Sequence, residues 1–91
     1  MASYEPIYIA QAQKFIRTQL EKKASDKRVS LMWGGTGLKL GPNQYGLVIY
    51  KDKKKTVFKF TKDELIKGYG STEWKNRLLK RINEILRRLE I

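Results

Sequence analysis

Hydrophobic positions recur most regularly towards the end of the chain. Trp74, Leu78, Ile82, Ile85, Leu86 and Leu89 return at intervals of three and four, the period of an α-helix that buries one face. With Leu79 they fill one arc, and Arg77, Lys80, Arg81, Arg87 and Arg88 fall on the opposite one. Ser71 or Thr72 is the expected cap, and Glu73 suits the positive end of such a helix. The beginning of the chain has the same period: Tyr8, Ile9, Ala12, Phe15, Ile16 and Leu20 share an arc, with Lys14, Arg17, Glu21 and Lys22 opposite. Ser3 is the expected cap there, Pro6 is tolerated in the first turn, and the helix should end near Ala24. Arg17 and Glu21, four residues apart, are placed to pair. In the last helix Glu84 is four residues from both Lys80 and Arg88, which predicts pairing with those two and leaves Arg77, Arg81 and Arg87 without a partner on the helix.

Between the helices the period falls to two. Val29, Leu31 and Trp33 alternate with Ser30 and Met32, which is strand spacing. Gly34-Gly35-Thr36-Gly37 then reads as a turn. It lacks the Lys-Ser/Thr pair of a phosphate-cradling loop. Leu38-Lys39-Leu40 suggests a short second strand, broken by Gly41-Pro42-Asn43-Gln44. Leu47–Tyr50 and Thr56–Phe60 predict a hairpin with Lys53-Lys54 at its tip. That register sets Lys51 opposite Thr56, Ile49 opposite Phe58 and Leu47 opposite Phe60, with these four apolar side chains on one face. Val48, Tyr50, Val57 and Lys59 occupy the other face. Thr61-Lys62-Asp63-Glu64 has the form of a capping box opening a short helix, Lys62 to Lys67, that stops at Gly68. The expected fold is therefore α+β and two-layered. An N-terminal helix precedes an antiparallel meander of three or four strands, then a short helix and a long C-terminal helix on the same sheet face.

Charge narrows the function. The 91 residues suit one small domain, and carry 20 Lys and Arg against 9 Asp and Glu, a net charge of +11. Such an excess repels itself, and a polyanionic partner is the usual compensation. Heat-tolerant surfaces balance lysine with glutamate, and here that balance is broken. There is no cysteine or histidine, which removes thiolate metal sites, disulfides and the commonest general base. No run of about 18 apolar residues points to a membrane span, and the apolar helical faces are taken up by the core, so no membrane partner is expected. The N-terminal residues lack a secretory pattern, and a cytoplasmic location follows as the default expectation.

Three basic clusters stand out: the hairpin tip, the polar arc of the last helix, and Lys22, Lys23, Lys27 and Arg28. A projecting lysine-rich turn and a basic helix are both suited to following a phosphate track. Among the aromatics, Trp33 is expected in the core with Val29 and Leu31. Tyr45, Tyr50 and Tyr69 are candidates for base stacking, Tyr50 foremost because it shares the outer sheet face with lysine. The helix–strands–helix order resembles that of the double-stranded-RNA-binding domain, which implies an RNA ligand. The lysine-rich start of the last helix found in that family is absent from Ser71-Thr72-Glu73-Trp74-Lys75, and no family is assigned.

The expectation is a small, non-enzymatic nucleic-acid-binding protein, for DNA or RNA, gripping the phosphate backbone. Its expected contact residues are Lys51, Lys53, Lys54, Lys55, Lys59 and Tyr50 from the hairpin, and Arg77, Lys80, Arg81 and Arg88 from the last helix. No catalytic residue, metal ligand or cofactor is assigned. One alternative is a protein-interaction or regulatory module, either docked on an acidic partner or joined as a homodimer through Val48, Tyr50 and Val57. Another is an RNA-cleaving, toxin-like ribonuclease.

Overall fold

A computed structural model describes residues 5–24, 29–34 and 40–89. In chain order these form helix α1 (Glu5–Lys23), strands β1 (Val29–Trp33), β2 (Gln44–Lys51) and β3 (Lys54–Thr61), short helix α2 (Lys62–Ile66) and helix α3 (Thr72–Arg88). The strands make one antiparallel sheet in the order β1-β2-β3. The fold is α+β, as the periodicities predict.

One apolar cluster joins Ala12, Ile16 and Leu20 of α1, Leu78, Ile82 and Ile85 of α3, Leu65 of α2, and Leu47, Ile49, Phe58 and Phe60 of the sheet. Both long helices therefore cover the same sheet face. Burying each of the larger side chains here contributes about 1.5–3 kcal/mol. Trp33 belongs to this side too, its ring centroid 5.5 Å from that of Phe60. The start of α3 is fixed by aromatic packing: Tyr69 stacks on Tyr8 at 4.5 Å and meets Trp74 edge-on at 4.8 Å. The Trp74 indole donates to the carbonyl of Leu65 over 2.7 Å. Tyr45 also packs against the core, so Tyr45 and Tyr69 serve the fold.

The expected caps form. Thr61 accepts from the amide of Glu64, whose carboxylate accepts from the amide of Thr61, and Ser71 caps α3 by accepting from the amide of Trp74. Gly68 follows α2 with φ of +71°, and a Cβ there would stand 3.2 Å from the capping Ser71 hydroxyl, so glycine suits both conformation and space. Ser3 lies outside the described residues, as do Gly35, Thr36, Gly37, Leu38 and Lys39. Leu40, the remaining residue of the expected extra strand, is not in a strand.

The hairpin register differs from the expected one. Lys51 pairs with Lys54, Ile49 with Thr56, Leu47 with Phe58 and Tyr45 with Phe60, a shift of two residues that moves the turn to Asp52-Lys53. The reason lies in the turn. Two-residue hairpin loops place their first residue at positive φ, and Asp52 has φ of 57°. Aspartate tolerates that region far better than lysine, which the expected tip would have put there. A shift of two preserves the faces, so Leu47, Ile49, Phe58 and Phe60 still point into the core.

Candidate nucleic-acid interface

The two-residue turn carries Lys53 at its end, flanked by Lys54 and Lys55, all three exposed. Beside it ends α3. A groove of about 500 Å³ lies between them, lined by Lys51, Asp52, Lys53, Lys54, Thr56, Arg88 and Leu89. Four cationic side chains thus face one carboxylate across a single opening. The lysines of the hairpin tip here meet one member of the basic arc of α3, Arg88, brought alongside by the packing of α3 along the core face of the hairpin.

Two contacts hold this meeting place. The Lys51 ammonium donates to the carbonyl of Leu89, the C-cap residue of α3. Carbonyls at a helix C-terminus lack helical partners and favour a cation. The Arg88 guanidinium lies over the Phe58 ring at 5.8 Å, which seats the end of α3 on β3.

The expected contact residues divide into two sets. Lys53, Lys54, Lys55, Lys59 and Lys80 are exposed, and none takes part in an ion pair among the described residues. Arg88 joins the tip lysines at the groove. Lys51, Arg77 and Arg81 instead hold the fold. Arg77 donates to the carbonyls of Lys67 and Glu64 over 2.6 and 3.3 Å, groups left free where α2 ends. Arg81 lies with Nε 2.9 Å from Glu64 Oε2 and donates from Nη2 to the carbonyl of Lys59 over 2.9 Å. Its Cζ is 4.8 Å from the Phe60 ring centre. Glu84 pairs with Arg81 at 3.4 Å, where spacing had predicted Lys80 and Arg88. The capping box of α2 fixes Glu64 within reach of Arg81, and Glu84 adds to a guanidinium already held there. The Arg17–Glu21 pair forms as expected, at 2.8 Å.

In the third cluster Lys22 and Lys23 are exposed at the end of α1, and Lys23 donates to the side-chain oxygen of Asn83 over 3.5 Å. Lys27 and Arg28 lie outside the described residues. Three groove residues carried no functional signal in the sequence. Asp52 is betrayed only by turn chemistry, and Thr56 and Leu89 enter through tertiary packing.

The sheet face turned away from the helices carries Met32, Val48, Tyr50, Lys55, Val57 and Lys59. Met32 and Tyr50 are 45% and 39% exposed, Val57 is half-buried, and Val48 is 1% exposed. Val48 is thus closed off within the monomer, which corrects its expected part in a dimer contact. Among the described residues no group of three His, Cys, Asp or Glu is placed to hold a metal ion, and no helix is long and apolar enough to cross a membrane. Set against protein-family models, curated proteins and solved structures, the chain matches none.

Proposed function

We propose that this protein binds nucleic acid by its phosphate backbone and carries out no chemistry on it. The observation that supports this most is the groove at the hairpin tip, where Lys53, Lys54 and Arg88 converge from two elements distant in sequence. Phosphate affinity needs cations set along a track and no base readout, and Lys55 and Lys59 extend the track along β3. The net charge of +11 adds long-range steering towards any polyanion. The exposed ammonium groups are mobile point charges, suited to phosphates of varied spacing and ill suited to reading base edges.

The test is fluorescence anisotropy with labelled duplex DNA, single-stranded DNA and duplex RNA across a salt series. Lys53→Ala/Lys54→Ala/Lys55→Ala should weaken binding alike for all sequences. It should lower the slope of log affinity against log salt by about two to three, given roughly 0.7–0.9 per phosphate neutralised. Unchanged affinity in this variant would remove the tip from the interface, and wild-type binding that shows no salt dependence would end the proposal.

A further inference from the structure

The outer face of the sheet has a composition of its own. Its large apolar side chains are not part of the core cluster, and α1 and α3 pack on the opposite face. Tyr50 pairs with Lys55 across the hairpin, and Val48 lies between Met32 and Val57 in the register. A phenol ring, 39% exposed, therefore shares its row with an ammonium group. Lys59 adds a second cation to this face, and no acidic residue among β1, β2 and β3 points there.

A second copy of the chain fits this face poorly. Two-fold pairing would set the face carrying Lys55 and Lys59 against an identical one whose strands offer no carboxylate to meet them, and like charges across an interface repel. The exposed apolar area comes from Met32 and Tyr50, each less than half exposed. Two partly exposed side chains make a small apolar centre for a stable protein interface. What an aromatic ring beside lysine does suit is a nucleotide, whose base offers a π face and whose phosphate offers an anion. A duplex keeps its bases stacked inside, out of reach of a ring set on a sheet. Tyr50 stands two residues before Asp52, about 7 Å along the strand. A strand crossing the turn therefore meets Lys53 and Lys54 on one side and Lys55 and Tyr50 on the other.

We infer that the outer sheet face is a stacking platform for an unpaired base, with Tyr50 as the ring and Lys55 and Lys59 holding the flanking phosphates. The preferred ligand is then single-stranded nucleic acid. The inference rests on the nucleic-acid reading above and adds to it the strand form and the aromatic contact.

The experiment measures the full chain against two labelled single strands of roughly 10 nucleotides, one bearing bases and one abasic throughout, equal in charge. Tyr50→Ala should lose roughly 5- to 150-fold in affinity for the strand with bases, and Tyr50→Phe should stay within about twofold of wild type. Affinity of Tyr50→Ala for the abasic strand should equal that of wild type, with an unchanged salt slope. Met32→Ala, beside the platform, should cost less than Tyr50→Ala. Equal losses on both strands, or no loss with bases, would overturn the inference. If Lys53→Ala/Lys54→Ala still weakened both strands in that case, the phosphate grip would survive alone. No binding of either strand by wild type would end both readings. A sedimentation coefficient that depends on concentration, and ceases to in Tyr50→Ala, would assign the face to a second copy and overturn the inference.

Discussion

Replacing Arg81 with alanine separates a residue that holds the fold from one that holds a ligand. Its guanidinium touches four groups: Glu64, Glu84, the carbonyl of Lys59 and the Phe60 ring. A hydrogen bond from a charged donor contributes about 1.5–3 kcal/mol. The Lys59 carbonyl belongs to an exposed residue on the edge strand and regains water, so the lower end applies. The Arg81 and Glu64 side chains are 29% and 21% exposed, so solvent screens their attraction, and about 0.5–1 kcal/mol is appropriate. The ring contact adds about 0.5 kcal/mol. The terms share one guanidinium and do not add fully, which leaves a loss of about 2–3 kcal/mol. For a domain below 100 residues that lowers Tm by roughly 10–20 °C, read by circular dichroism. Glu64→Gln keeps the acceptor that serves the capping box. Combined with Arg81→Ala it should cost less than the sum of the two, with a coupling of about 0.5–1 kcal/mol. Measured well below both transitions, nucleic-acid affinity of Arg81→Ala should stay within about threefold of wild type, the effect expected of one distant charge. An unchanged Tm would show that the network carries no stability. A loss of affinity as large as that of the tip lysine variant would place Arg81 against the ligand.

Two further substitutions test the groove and its turn. Asp52→Asn should leave stability within about 0.5 kcal/mol, since asparagine tolerates positive φ, whereas Asp52→Val should cost about 1–2 kcal/mol. Urea unfolding of the three proteins decides this, and equal stability of Asp52→Val would mean the turn does not need a left-handed residue. Lys51→Met keeps the apolar stem and removes the donor to Leu89. It should cost about 1 kcal/mol and speed amide exchange in the last turn of α3 relative to the middle of that helix. Unaltered exchange there would show that Lys51 does not hold the helix end.

The elements themselves were legible because each is specified locally. The apolar arcs of α1 and α3, the alternation in the strands and the Thr61–Glu64 capping box need only neighbours in sequence. The faces of the hairpin were legible for the same reason. Its register was not, because two registers two residues apart bury the same side chains. The choice fell to the backbone conformation of Asp52, which a count of apolar pairs ignores. The basic residues were visible as a charge excess, but their roles were not. Arg81 and Lys53 look alike on a helical or hairpin diagram. Only tertiary packing sets Glu64 and the Lys59 carbonyl around Arg81 and leaves Lys53 in water. Likewise nothing near Leu89 in sequence foretells that the C-cap residue of a helix will accept from a lysine 38 positions earlier.

The position of β3 at the rim of the sheet bears on how copies of this chain treat one another. A bare edge offers a row of backbone groups to any other strand, and is the usual seed of aggregation. Here Arg81 already occupies the carbonyl of Lys59, and Lys54, Lys55 and Lys59 line the same strand. A second sheet approaching this rim meets a line of like charge and finds an acceptor taken. The lysines proposed to grip phosphate therefore also act as gatekeepers of solubility. The two duties are opposed: a polyanion that neutralises them uncovers the rim they protect. Crowding along one long polyanion would then favour strand-to-strand contact between neighbours, whereas short ligands would leave the chains dispersed.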